Sequence, residues 1–96
     1  MKNSITIGDK TVGLGNPCFI SAEIGINHNG SLETTFALID IAISAGCDSV
    51  KFQKRTIETV YTVEELATPR ESVFGGTNGD LKRGLEFSAD DYAKID

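Results

Sequence analysis

Ninety-six residues, 40% apolar and 24% charged, suit one small globular domain and exclude a disordered or membrane-embedded composition. The net charge of -5 argues against a nucleic-acid or anionic-membrane partner. Of the nine Lys and Arg residues only Lys54-Arg55 and Lys82-Arg83 are adjacent, a pattern of solvated surface. No long apolar stretch occupies Met1 to Lys10 and no run approaches the ~18 residues that would cross a bilayer, so a cytoplasmic protein is expected. Cys18 and Cys47 have neither CxxC nor framework spacing; two buried, reduced thiols are expected rather than a disulfide or a metal site.

In chain order, Ile5-Thr6-Ile7, Gly8-Asp9-Lys10 and Thr11-Val12-Gly13 read as a short hairpin, alternating residues flanking a Gly-Asp turn. Asn16-Pro17 ends it, and Cys18 to Ile24 is predicted as a strand, apolar but for Ser21 and Glu23. A Gly- and Asn-punctuated loop, residues 25–30, follows with the only histidine of the chain. Ser31 is the expected N-cap of a helix with Glu33 in its first turn, where the helix dipole favours an anion. Leu32, Phe36, Ile39 and Ile43 recur at helical spacing, and Gly46 stands where a helix-ending glycine belongs. Asp48 to Lys54 is predicted as the next strand.

Strand, helix, strand with short connections is a βαβ unit, so the two strands are expected to be parallel with a right-handed crossover. Strands buried on both sides belong to a parallel sheet covered by helices. Ser21 and Glu23 share one parity in the first strand, as Ser49, Lys51 and Gln53 do in the second; Ile20, Ala22, Ile24, Val50 and Phe52 form the apolar parity. An open sheet with helices on both faces needs both parities apolar, whereas the inside of a closed barrel accepts polar groups near its top. The expected fold class is therefore α/β, the N-terminal βαβ portion of a TIM (β/α)8 barrel preceded by a short β-hairpin.

From Arg55 to Phe87 no long periodic segment is visible. Thr62-Val63-Glu64-Glu65 fits a capping box for a short helix before Pro69, and the stretch from Phe74 to Asp80 reads as a loop. Ser88 caps a last helix, with Tyr92 and Ile95 as its expected buried face. Two apolar strands alone leave unpaired edges, so residues 1–96 are expected to be the first part of a larger barrel, hairpin about 5–13 and βα units about 18–96, with no domain boundary inside.

Ligands bind at the carboxyl ends of strands in such folds, which singles out the corner at residues 22–30. A carboxylate ending an apolar strand, Glu23, is costly to desolvate unless it has a task or a partner. Lys51, at the end of the second strand, is placed to neutralise an anionic substrate or to pair with Glu23; both can hold. Gln53 lies on the same face. His28 alone is too few for a metal site, so no metal ligand is assigned here, and a loop hydrogen bond that shapes the corner is expected of it. Asn27 and Asn29 suit unusual backbone angles or substrate contact, and Gly25 and Gly30 suit turns. The loop at Gly75-Gly76 could cover the site but has no P-loop pattern.

Three stretches carry a family resemblance: Ala-Glu-Ile-Gly-Ile-Asn-His-Asn-Gly (22–30), Ala-Gly-Cys-Asp-Ser-Val-Lys-Phe-Gln (45–53) and Gly-Asp-Leu-Lys-Arg-Gly-Leu-Glu-Phe (79–87). Together they resemble the N-terminal part of the sialic acid (N-acetylneuraminate) synthase family, from about Ile5 to Asp96. The resemblance implies a cytoplasmic TIM-barrel transferase that also has a small C-terminal antifreeze-like domain and works as a domain-swapped homodimer. It implies condensation of phosphoenolpyruvate with an N-acetylated hexosamine such as N-acetylmannosamine, releasing phosphate, with a divalent metal, usually Mn2+, whose histidine ligands lie beyond Asp96. On the matching positions, Glu23 is the acid implicated in sugar binding and in handling the metal-bound water or aldehyde. Lys51 is the phosphoenolpyruvate-binding lysine, and Gln53 hydrogen-bonds the sugar acceptor. These residues alone are expected to be inactive. Neighbouring possibilities are legionaminic or pseudaminic acid synthesis, a phosphoenolpyruvate-dependent octulosonate or heptulosonate phosphate synthase, or, in another class, a non-catalytic interaction domain.

Overall fold

A computed structural model describes residues 3–96. An N-terminal antiparallel hairpin pairs β1 (Ser4–Ile7) with β2 (Lys10–Gly13). It is followed by β3 (Ser21–Gly25), α1 (Leu32–Ser44) and β4 (Ser49–Phe52), with β3 and β4 parallel. Among the described residues this is a two-stranded sheet, and a closed barrel would require further strands on both of its edges.

Both predicted strands come out shorter. Residues 17–20 are not in β3; Ile20 instead fastens its base, its N–H donating to Asp48 Oδ2 at 2.9 Å and its carbonyl accepting from the Asp48 N–H at 2.7 Å. β4 stops at Phe52, because Gln53 to Thr56 run without a ladder partner. The expected buried thiols are corrected too: Cys18 is exposed and Cys47 half-buried, and neither is in a disulfide.

α1 starts and stops on local chemistry. Ser31 Oγ accepts the Thr34 N–H at 3.1 Å. At the far end Gly46, at φ +81°, lets its own N–H reach Ile43 O and the Cys47 N–H reach Ala42 O, each at 3.0 Å. Its buried residues are Thr35 and Ala42, so the expected apolar face is only partly covered: Phe36 is 42% and Ile43 67% exposed.

The region read as irregular is structured. Two short helices, α2 (Ile57–Val60) and α3 (Val63–Ala67), the second with the expected Thr62–Glu65 capping box, lead into a hairpin of β5 (Pro69–Ser72) and β6 (Gly75–Thr77). The stretch from Phe74 to Asp80, expected as a loop, therefore holds β6 and the start of α4 (Asn78–Leu85), which begins on a Thr77–Asp80 capping box. α5 (Ala89–Ile95) follows on a Ser88–Asp91 capping box, with Tyr92 and Ile95 half-buried rather than buried.

The core lies at the carboxyl ends of β3 and β4. Ile24, Ile57, Leu85 and Phe87 are buried there with His28, while Ala42 and Thr35 seat α1. Backbone proximity fixes α4 against the β3–α1 loop: a methyl on Gly30 would fall 2.2 Å from Gly84 O, and one on Gly84 would fall 2.1 Å from Phe74 Cγ. Glycine is needed at both because nothing larger fits.

Candidate active site

The parallel register sets Glu23 directly opposite Lys51. Their side chains meet as an ion pair, Lys51 Nζ to Glu23 Oε1 at 3.1 Å, with side-chain exposures of 65% and 61%. That exposure revises the desolvation argument, since the carboxylate stays in water. A pair this exposed contributes at most about 1 kcal/mol to stability. Just past Glu23 the register shifts, Gly25 rather than Ile24 facing Phe52. Gly25 itself turns at φ +57°. A side chain there would meet the Gln53 amide, whose Nε2 lies 3.5 Å from the Cβ position, so Gln53 folds over the bare Gly25 backbone. Glu23 and Lys51 thus pair on an exposed face at the carboxyl ends of adjacent parallel strands, and the Gln53 amide lies over Gly25 just beyond them.

The loop that follows is a chain of tight turns. Asn27 N–H reaches Ile24 O at 3.0 Å, Asn29 N–H reaches Ile26 O at 3.2 Å and Ser31 N–H reaches His28 O at 3.0 Å. Asn29 takes φ +55° and Gly30 φ +75°, backbone angles that Asn and Gly tolerate best. Asn27 is exposed, but its amide Nδ2 donates to Ile24 O at 2.9 Å, which leaves its Oδ1 as the group free to meet a ligand.

His28 sits under this loop at 1% exposure. Its Nδ1 accepts the Gly30 N–H at 2.9 Å, and its ring stacks on Phe87 at 4.2 Å between centroids. Burial holds its pKa below the ordinary histidine value, with the nearby Glu86 carboxylate pulling the other way. The neutral ring that accepts at Nδ1 carries its proton on Nε2, which has no partner among the described residues. Among the described residues no three His, Cys, Asp or Glu side chains converge as a metal-binding group.

Sequence reasoning gave no site role to the residues that tie down the exit of β4. Glu86, between α4 and α5, accepts the Arg55 backbone N–H through both carboxylate oxygens at 2.9 and 3.2 Å. Tyr92 Oη donates to Gln53 O at 3.4 Å, and burial, then Glu86, raises its pKa. The stretch 79–87 held the signal for Glu86, as a motif without an assigned task. A cavity of about 500 Å³ opens on the outer side of the loop, lined by Asn27, Asn29, Arg70, Phe74 and Lys82 but by none of Glu23, Lys51 and Gln53.

A model of the NeuB family matches residues 38–96, more than half of the chain. The chain belongs to the NeuB family. It is 43% identical over 86 residues to human N-acetylneuraminate-9-phosphate synthase, covering 88% of this chain and 24% of that protein. It is 35% identical over 88 residues to the N,N'-diacetyllegionaminic acid synthase of Legionella pneumophila, covering 88% of this chain and 25% of that one. The solved structure of the Bacillus subtilis spore coat polysaccharide biosynthesis protein SpsE superposes with a TM-score of 0.51 at 34% identity, over 95% of this chain and 25% of that one. The chain thus spans about a quarter of the length of these NeuB-family relatives, and the resemblance to sialic acid synthases holds. Among the described residues no helix is long and apolar enough to cross a membrane.

Proposed function

We propose that the protein acts, at the length of its relatives, as a nonulosonic acid synthase that condenses phosphoenolpyruvate with an N-acetylated hexosamine and releases phosphate. The observation that carries this reading is the pairing of Glu23 and Lys51, a carboxylate and an ammonium 3.1 Å apart at the carboxyl ends of parallel strands, with the Gln53 amide over Gly25 just beyond. It is supported by the names of the relatives, an N-acetylneuraminate-9-phosphate synthase and an N,N'-diacetyllegionaminic acid synthase.

Carbon 3 of the enol phosphate attacks the aldehyde carbon of the open-chain sugar, the aldehyde oxygen takes a proton, water adds at carbon 2, and the carbon–oxygen bond to phosphate breaks. The Lys51 ammonium supplies the counter-charge for an anionic group of phosphoenolpyruvate. Glu23, in water and beside that ammonium, accepts hydrogen bonds from sugar hydroxyls or from the attacking water and holds their protons. Gln53, with the Asn27 Oδ1, offers both donor and acceptor to the acceptor sugar. A divalent metal, Mn2+ in the reading above, supplies a Lewis acid for the aldehyde oxygen when bound. In this reading its histidine ligands lie beyond Asp96, and none of the steps assigned here runs through it. The same reading makes residues 1–96 the opening segment of a barrel, with no internal boundary, in a cytoplasmic homodimer.

The test is phosphate release from phosphoenolpyruvate by the full-length protein with Mn2+ and N-acetylmannosamine, its phosphate ester or a di-N-acetylated hexosamine. Glu23→Ala and Lys51→Ala are each expected to lower turnover by orders of magnitude with the fold intact. Wild-type kinetics in both variants, or no release with any of these acceptors, would sink the proposal.

A further inference from the structure

We propose that Glu86 is a positioning residue for the substrate-binding segment Lys51–Gln53, acting through the Arg55 amide. The inference rests on the roles given above to Lys51 and Gln53. β4 ends at Phe52, so Gln53, Lys54, Arg55 and Thr56 leave the sheet without a ladder to hold them. Two bonds take the place of the ladder: Tyr92 Oη to Gln53 O, and the Arg55 N–H to the Glu86 carboxylate, 31 residues away in sequence.

The backbone that carries Glu86 is fixed on both sides. Its residue is the C-cap of α4, its N–H reaching Arg83 O at 3.2 Å, and two positions later Ser88 opens α5 on a closed capping box. Between them Phe87 stacks on His28 and so grips the β3 corner while Glu86 grips the β4 exit. Adjacent residues of one three-residue linker thereby set both strand ends whose side chains form the site.

Glu86 is half-buried and makes no ion pair among the described residues, and the Arg55 guanidinium donates to Tyr61 Oη. Partial desolvation of an unpaired carboxylate is unfavourable, and what offsets it is a charge-assisted bond at one defined backbone point. That point lies two residues beyond Gln53, close enough for displacement there to carry over to the amide and to Lys51.

The experiment compares full-length wild type, Glu86→Gln and Glu86→Ala by steady-state kinetics, by thermal melting and by hydrogen exchange at the Arg55 amide. Glu86→Gln keeps one oxygen to accept the Arg55 N–H and is expected to retain protection and most of the activity. Glu86→Ala is expected to expose the Arg55 amide to exchange and, at a temperature where it is fully folded, to lower kcat/KM on the order of 10²-fold, with KM for the sugar raised. A folded Glu86→Ala with kcat/KM near wild type overturns the proposal. So does a Glu86→Gln as impaired as Glu86→Ala with Arg55 still protected, because the charge would then be acting on substrate directly. Should Glu86→Ala not fold, the same two readouts on Glu86→Gln decide. A wild type without synthase turnover overturns the functional reading and this inference together, whereas an active wild type with an unimpaired Glu86→Ala overturns this inference alone.

Discussion

Two glycines with nearly the same backbone angle separate what the β3–α1 corner owes to conformation from what it owes to close packing. Gly30 stands at φ +75° and Gly46 at φ +81°. Alanine in that left-handed region costs about 1–2 kcal/mol at either position. Around Gly46 there is open space, so Gly46→Ala is expected to cost only that amount. At Gly30 the new methyl would stand 2.2 Å from Gly84 O, a backbone atom inside α4, with Phe74 at 3.6 Å behind it. No side chain can rotate out of the way, and ordinary contact requires the helix to back off by more than about 1 Å, which as overpacking adds about 1–3 kcal/mol. Gly30→Ala should therefore destabilise by roughly 2–5 kcal/mol, about twice the effect of Gly46→Ala or more. Thermal melting of both variants beside wild type measures the ratio directly. Hydrogen exchange across α4 should also quicken in Gly30→Ala alone. Equal depressions of the melting temperature would refute the claim that α4 is seated backbone to backbone on the corner.

Three further outcomes follow from the same packing. Phe87→Ala removes a 5%-exposed ring and the stack on His28 and should cost about 3–5 kcal/mol, read as a lowered urea midpoint; an unchanged midpoint would show that Phe87 is not core. Thr77→Ala opens the capping box of α4, in which Thr77 Oγ1 accepts the Asp80 N–H at 3.1 Å, and should cost about 1 kcal/mol in the same assay, more than alanine at exposed Thr59. For His28 the folded pKa is lowered, so below the ordinary value of 6.5 the unfolded chain takes up a proton that the folded chain refuses. Its contribution is complete above pH 6.5 and falls as pH drops toward the folded pKa, with a slope of at most about 1.4 kcal/mol per pH unit. Melting temperatures of wild type and His28→Gln across that window should diverge at the acid end; parallel curves would refute the assignment.

The parts legible in the sequence were those stabilised locally. Ser31 and Gly46 mark α1 because a side-chain oxygen and a left-handed glycine satisfy helix ends wherever they occur, and the Thr62 and Ser88 capping boxes announce α3 and α5 for the same reason. Glu23 and Lys51 were legible as partners because strand parity puts them on one face, though the register opposing them had to come from the structure. The hairpin of β5 and β6 was not legible, and α4 was missed even though Thr77 and Asp80 carry the same capping-box signal. Asn78, Gly79 and Gly84 are turn residues by propensity, and α4 exists because Gly84 fits under Phe74, Gly79 against Leu66 and Leu85 into the core, tertiary gains that a local reading does not register. Glu86 was hidden for a different reason. Its partner is a backbone N–H, a group nearly every residue owns, so nothing about Arg55 in the sequence singles it out.

The mismatch on α1 is the more instructive one. Periodicity predicted burial for Phe36, Ile39 and Ile43, and the structure leaves Ile39 half-covered, Phe36 42% and Ile43 67% exposed, and Ile41 63% exposed beside them. Helical pattern reports which residues want cover and not what supplies it. The two open edges of the β3–β4 sheet make the same demand in backbone hydrogen bonds. Both demands are met together if this chain is one segment of a closed barrel, with flanking strands on the edges and neighbouring helices against α1. In that arrangement, and on the proposed function, the polar face holding Glu23 and Lys51 would turn inward, and the exposure that makes their ion pair nearly worthless for stability would serve as access to substrate.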